Sequence, residues 1–460
     1  MANIVILGGG ITGLTVAQKL SVKFKGEVTL IEQADFLGGL AATPSKNGFV
    51  FDIGSHRLHS DCPKEALDYL THTVGVELLK RPRNGALYFK GRFLRYPPNI
   101  INLLKSFSFH KVLKLSAGYL KKFIHMPKKD RSYQDAMIRA VGKNVYTTFY
   151  KDFAKKLWGM DPSKLATDGI RRRNTVINLR SIWRSMTGKD KYFFYPRHGI
   201  GEIARKMSEE MLGNGGTIMK GSKIKKISMQ DDKITRLLVE DQTGKDVELK
   251  PAQVISTIPI DSLSEMIYGD KISAAGLLWR GLRVAYIHFE EELGLKNETF
   301  YFPDAGIRIG RVSEIKKYSP YLNTDLKGTL LTIEIPCSQT DEMWRISDEE
   351  LLKICLEDLE KASILKGQVK VLKYFSLKIE KAYPIYHIGW KENFFRLYND
   401  LNKIANLFLI GRKGLFLHCN IDHCIMQAIE LADFIASNDP RGKAAWNKKV
   451  GRFLQFCARD

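Results

Sequence analysis

Apolar and polar positions change rhythm several times along this chain. Ile4 to Leu7 is a continuous apolar run, Gly8 to Gly13 a glycine turn, Leu14 to Lys23 has helical spacing, and Val28 to Glu32 is apolar up to an acidic end. Short apolar runs punctuated by glycine predict strands, so the chain opens as strand, helix, strand. Helical patterns then dominate to about Lys191. Within them Asn99 to Lys129 reads as an amphipathic helix, with Leu103, Phe107, Leu113, Leu120 and Phe123 set among Lys105, Lys111, Lys114, Lys121 and Lys122. Strand patterns return at Thr217 to Met219, Lys233 to Glu240 and Val254 to Ser256, then at Arg283 to Phe289, Thr299 to Phe302, Ile307 to Val312 and Leu330 to Ile335. A helix over Ser347 to Lys361, a strand over Leu407 to Ile410 and a helix over Ile421 to Ala436 close the pattern.

Neither end of the chain holds enough apolar strand to bury a core alone, so strands from both ends are expected in one sheet. The expected fold is α/β. A discontinuous Rossmann-like domain takes residues 1-80, 196-262 and 392-440, a basic helical insert 81-195, a mixed-sheet domain 263-391 and a tail 441-460. A length of 460 residues suits such a multi-domain division, and 44% apolar residues exclude a mainly disordered chain.

Charge adds a second feature. The chain carries 72 Lys+Arg against 50 Asp+Glu, a net +22, and between Lys80 and Lys206 the count is 30 against 7, or +23. Such a field attracts anions: nucleic acid, acidic lipid head groups or a phosphorylated small substrate. No helix-turn-helix, zinc-finger or RNP motif is present, so no nucleic acid is expected as a partner. The basic helix with its leucine and aromatic face either packs on the core or lies on an anionic membrane. No apolar run approaches the ~18 to 20 residues of a membrane span. The six cysteines are scattered without a Cys-x-x-Cys, which predicts reduced thiols and no metal site. With no leader-like start, a cytoplasmic protein is expected, with peripheral membrane contact left open.

Gly8-Gly9-Gly10-Ile11-Thr12-Gly13 satisfies G-x-G-x-x-G after a strand and at the head of a helix, with Glu32 at the end of the next strand. Gly8 permits the tight turn, Gly10 lets backbone approach a pyrophosphate, and Gly13 lets helix and strand pack closely. Glu32 suits ribose hydroxyls and repels a 2′-phosphate. The fingerprint alone leaves NAD and FAD open.

The chain continues to Gly38-Gly39-Leu40-Ala41-Ala42-Thr43, and this acidic strand end, short loop and Gly-Gly pair resembles the flavoprotein superfamily of amine oxidases, protoporphyrinogen oxidases and UDP-galactopyranose mutases. The resemblance implies FAD. Phe51 to His59 is similar to a mutase block passing the flavin ring, with Ser55 in place of a proline. It implies that His59, and with it His56, lies near flavin N5. Lys155-Lys156-Leu157-Trp158-Gly159 and Arg171-Arg172-Arg173 resemble a substrate block, implying Trp158 beside a uracil and Arg172, with Arg171 and Arg173 as alternates, on a diphosphate. Tyr195 to Glu202 looks like the Tyr-Pro-x-x-Gly return to the FAD domain, and Lys223-Ile224 like the adenine end of the site. Gly411-Arg412-Lys413-Gly414 through Asn420-Ile421-Asp422 is similar to the Gly-Arg-x-Gly loop before the last flavin-contacting helix. Here His418 and Asn420 replace a tyrosine and an aspartate of the mutases.

The resemblance therefore implies cofactor contacts at Gly8, Gly10, Gly13, Glu32, Gly38, Gly39, His56, Ile224, Gly411, Asn420 and Asp422. It implies substrate contacts at Trp158, Arg172, Arg173, Arg412 and His418, and catalytic roles for His59 and Arg412. The leading expectation is an FAD-dependent oxidoreductase that takes a hydride from a sugar nucleotide or other phosphorylated sugar conjugate. A mutase-like isomerase using reduced FAD is the close rival. A third reading is an oxidase of an apolar substrate at a membrane, with Tyr383, Tyr386 and Trp390 as cage candidates. The fourth is a non-enzymatic flavoprotein that binds membrane or nucleic acid.

Overall fold

The computed structural model describes residues 3–96, 130–169, 192–269, 276–438, 442–456 and 458. The basic helix expected over 99–129 and the arginines Arg171, Arg172 and Arg173 lie outside the described residues.

Both ends of the chain do meet in one sheet. Its five strands run in the order Thr217–Met219, Glu27–Ile31, Asn3–Leu7, Gln253–Ser256 and Leu407–Leu409, all parallel. Parallel strands covered on both faces need apolar side chains on both sides, which explains the unbroken runs read in the sequence. Ile4, Val5, Ile6 and Leu7 are all fully buried. Helix Ile11–Lys23 packs against helices Glu202–Gly213 and Ile421–Ser437.

A second sheet of seven strands has the order Val371–Ile385, Leu278–Phe289, Thr329–Pro336, Arg311–Glu314, Thr299–Tyr301, Gly85–Phe89 and Arg92–Tyr96. Helix Asp348–Lys361 covers one face through Leu351, Cys355 and Leu359. Two of these strands correct the helical reading of 81-195, because Gly85–Phe89 and Arg92–Tyr96 form a hairpin on this sheet. Their loop is the pair Lys90 and Gly91, with φ of 49° and 81°. Positive φ at both loop residues is the mirror-image turn whose twist matches paired strands. Strand Leu78–Pro82 likewise pairs with Tyr192–Pro196 rather than continuing a helix. Two of the strands read in the sequence shift: Ile307 to Val312 forms only from Arg311 to Glu314, and Arg283 to Phe289 begins earlier, at Leu278.

The expected tail is a docked helix. Gly442–Phe453 buries Trp446, Val450 and Phe453, and the Trp446 ring lies 5.6 Å from Phe434 on helix Ile421–Ser437, centroid to centroid. Burying side chains of this size contributes about 1.5–3 kcal/mol each before ordering costs. Among the described residues no helix is long and apolar enough to cross a membrane.

Candidate functional site

The parallel strands end at the glycine turn, and the turn opens onto a cavity of about 880 Å³. A Cβ built on Gly10 meets nothing within 4 Å, so a side chain there would point into open cavity space. At Gly13 the same construction lies 2.0 Å from the Gly8 carbonyl oxygen, so this glycine is required by packing. No side chain caps helix Ile11–Lys23, whose first N–H groups and positive dipole end stay available to an anion. Glu32 braces the turn: Gly9 N–H donates to its Oε2 at 2.7 Å and Ala34 N–H to its Oε1 at 2.8 Å. Gly38 N–H donates to the Gly9 carbonyl at 2.8 Å, which brings the Gly-Gly pair against the turn.

Gly8, Gly10, Glu32, Gly38, Gly39, His56, His59, Ile224, Arg412, His418 and Asn420 all line this one cavity. Gly13, Gly411, Asp422 and Trp158 do not. Gly411, at φ 85°, packs against Thr12, and Asp422 is buried in the first turn of its helix. The Asn420 side chain is committed to a capping box with His423, so it starts helix Ile421–Ser437 as well as facing the cavity. Trp158 stands in the core beside the cavity rather than on its wall: it is 5% exposed, and its ring meets that of His418 edge to face with centroids 6.0 Å apart. Its helix, Lys151–Trp158, is fixed from both sides. Lys156 Nζ donates to the carbonyls of Phe302 at 2.7 Å and Ile307 at 2.6 Å, and Arg280 Nε donates to the Leu157 carbonyl at 3.1 Å. Of the cage candidates, Tyr383 lines the cavity, whereas Tyr386 and Trp390 are core residues at 2% and 4% exposure.

At the histidine block the loop is pinned to the second sheet. Glu334 accepts from Ser55 N–H at 2.7 Å and from the Arg311 guanidinium at 2.9 and 2.6 Å. Burial alone would raise the Glu334 carboxyl, yet Arg311 and the hydrogen bonds hold it below its ordinary value. His56 Nε2 lies 2.9 Å from the Ile53 carbonyl, which can only accept, so the proton sits on Nε2. Burial, opposed by Glu334 and aided by Arg311, pushes His56 down to about 4, and the ring is neutral near pH 7. His59 Nδ1 accepts from Asp61 N–H at 3.1 Å.

Sequence reasoning missed Asp52. Its carboxyl accepts from Thr43 Oγ1 at 2.6 Å, Tyr195 OH at 2.5 Å and Ile200 N–H at 3.3 Å, tying the histidine block to the Tyr195-Pro196 block. Burial pushes it up to about 7 against those three donors. Lys413 was missed as well. It lines the cavity, and burial together with neighbouring Arg412 pushes its ammonium down to about 8, against a pull from Glu32.

Arg412 reaches the cavity between two carbonyls, donating to Cys419 O at 2.6 Å and Ala382 O at 3.2 Å, over the Tyr383 ring at 5.4 Å. Its Nε is buried without a hydrogen-bond partner among the described residues. Neither Arg412 nor Lys413 has a carboxylate within 4.0 Å there, so two cations face the cavity without paired anions. A dinucleotide fits this wall, with glycine backbone and a helix N-terminus for the pyrophosphate and Glu32 for the ribose.

The comparisons with known proteins agree with that fit. The chain matches the family described as flavin containing amine oxidoreductase over residues 11–435. It is 21% identical to the dTDP-fucopyranose mutase of Escherichia coli, covering 95% of this chain and 100% of that one. It is also 21% identical to the coproporphyrinogen III oxidase of Bacillus subtilis, covering 92% and 96%. Among solved structures it resembles reduced UDP-galactopyranose mutase, with a TM-score of 0.79 at 20% identity over 96% of both chains. With the family matched across most of its length and the cavity shaped for a dinucleotide, the chain belongs to the flavin containing amine oxidoreductases and is a flavin-dependent enzyme with FAD as its cofactor.

Proposed function

We propose that this enzyme binds a nucleoside diphosphate sugar and isomerises it with the flavin reduced, without net redox. The observation that carries the reading is Arg412, a guanidinium on the cavity wall whose partners are carbonyls, beside the equally unpaired Lys413. Buried cations without anions are costly, and a diphosphate supplies the missing charge. The likeness to two sugar-nucleotide mutases over nearly the whole chain supports isomerisation over the hydride transfer expected from the sequence. FAD, when bound, supplies an N5 centre that serves either as a nucleophile or as a hydride acceptor.

The chain's own residues orient the substrate. Arg412 is held over the Tyr383 ring and between two carbonyls, so its remaining donors are aimed before the anion arrives. His56 is neutral and committed to Ile53, and it adds no charge near the reacting atoms. His418 and Asn420 stand where the resembling mutases have tyrosine and aspartate. That departure favours a sugar nucleotide other than UDP-galactose.

The test is an anaerobic panel of UDP- and dTDP-sugars with oxidised and reduced enzyme. Isomerisation only with reduced flavin is expected. Arg412→Lys keeps the charge but loses the fork, and should weaken binding by on the order of 1 to 3 kcal/mol. Silence with every nucleotide sugar, or wild-type affinity in Arg412→Lys, would overturn the proposal. Hydride oxidation of an anionic substrate is the second reading, favoured by the full-length oxidase relative, and bleaching of oxidised flavin by substrate would select it.

A further inference from the structure

The cavity wall carries a pair of cysteines that the proposed reaction does not use. Cys419 and Cys424 both line it, and their sulfurs are 3.8 Å apart. The pair is placed by the start of the last helix: Cys419 precedes the N-cap Asn420, and Cys424 is the fourth residue into the helix. Those are the two positions whose side chains normally meet as a hydrophobic staple across a helix N-terminus. A staple accounts for the proximity. It does not require that both residues be cysteine, nor that both face a cavity built to hold a redox cofactor.

The other described cysteines, Cys62, Cys337 and Cys355, are core residues off the cavity wall. Burial pushes the thiols of Cys337 and Cys355 up to about 11 and about 12. Cys424 is moved the other way, first by the hydrogen bond from Cys419 and further by Thr12 and Arg412, while Cys419 is raised. Cys424 belongs to the opening of helix Ile421–Ser437, whose N-terminus favours thiolate, while Cys419 stands before the N-cap, so Cys424 is the nucleophile and Cys419 the resolving thiol.

We propose that Cys419 and Cys424 are a redox-active dithiol, which hydroperoxides reaching the cavity convert reversibly to a disulfide. The Cys424 thiolate attacks one peroxide oxygen; the S–O bond forms, the O–O bond breaks, and the departing hydroxide is protonated to water. Cys419 sulfur then attacks Cys424 sulfur. The S–S bond forms, the S–O bond breaks, and the second hydroxide leaves as water with the Cys419 proton. Two thiols lose two electrons and peroxide is reduced to two waters. The sulfurs must approach by roughly 1.8 Å to reach bonding distance. That movement pulls on the Cys419 carbonyl, which holds Arg412.

The experiment treats full-length, FAD-loaded protein with one equivalent of hydrogen peroxide, alkylates the remaining thiols and maps peptides by mass spectrometry. Both sulfurs fall in one tryptic peptide, Gly414 to Arg441. The expected result is that this peptide loses two hydrogens and both alkylation sites, that dithiothreitol restores them, and that Cys62, Cys337 and Cys355 stay alkylatable. In Cys419→Ser, Cys424 should accumulate as a sulfenic acid trapped by dimedone. A link to any other cysteine, Cys457 included, overturns the proposal. So does over-oxidation of Cys424 in wild type without a link, or retention of both thiols. The wild-type map decides even if the serine variant fails to fold.

Discussion

Gly10 and Lys413 line the same cavity in opposite ways, one by lacking a side chain and the other by carrying a buried charge. Gly10 has backbone angles of φ −73° and ψ 175°, open to any amino acid, so nothing in the fold itself demands a glycine there. Its Cβ would enter empty cavity. Gly10→Val is therefore expected to fold with the melting temperature of flavin-free wild type and to purify without flavin absorbance, whereas a substitution at Gly13 should fail at folding. Lys413 makes a pH prediction. Its ammonium titrates at about 8 rather than 10.5 because it is buried beside Arg412. An anion bound nearby favours the charged form, so the bound state holds more protons than the free state above that pH. Affinity for UDP should be flat below about pH 7 and fall as pH rises past 8, and Lys413→Met should remove the dependence and weaken UDP binding about tenfold at neutral pH. Equilibrium titration of UDP against the FAD-loaded enzyme across pH measures both.

Among the elements, helix Gly442–Phe453 is tied down at two faces. Trp446 packs on Phe408 and Phe434, while Lys449 and Arg452 pair with Glu430 at 3.1 and 2.5 Å. Both ion pairs are partly exposed and contribute little, so the tryptophan dominates. Trp446→Ala should cost about 3–5 kcal/mol in denaturant unfolding, while Arg452→Ala should stay within about 1 kcal/mol. This helix, like the hairpin at Gly85 to Tyr96, was not legible in the sequence. Its three buried residues lie among Lys443, Lys448, Lys449 and Arg452, and a basic end reads as solvated. The hairpin turn is Lys90-Gly91 rather than the Asn-Gly pair that advertises such a loop. Strand Val371–Ile385 hid for a related reason: Lys373, Lys378, Glu380 and Lys381 interrupt it, because one stretch of the strand borders the cavity instead of the core. The glycine turn and Glu32 were legible because each sits in a spacing with a mechanical meaning, whereas Arg412 was reached only through the family resemblance of its Gly-Arg-x-Gly loop. Asp52 and Lys413 were not, since only the folded chain brings Tyr195 to the one and isolates the other among 72 Lys+Arg.

For the whole molecule, the uneven charge predicts a kinetic effect. With +23 concentrated between Lys80 and Lys206, the association rate of a diphosphate ligand should fall steeply with ionic strength while dissociation changes little. Stopped-flow binding of UDP at graded salt would show it, and equal salt sensitivity of both rates would contradict it.

The order of the parallel sheet bears on how the protein is made. Asn3–Leu7 is the central strand, yet its neighbour Gln253–Ser256 and the edge strand Leu407–Leu409 are synthesised far later. At the roughly 5–20 residues per second of translation, the first strands wait on the order of 20 to 80 s before the last one emerges from the ribosome. Until Gln253–Ser256 emerges the apolar run Ile4 to Leu7 has one flank unpaired, and from then until Leu407–Leu409 emerges the flank of Gln253–Ser256 stays open, so nascent chains stalled before residue 407 should be holdase clients and aggregation-prone, and the final strand acts as the release signal for folding of the cofactor domain.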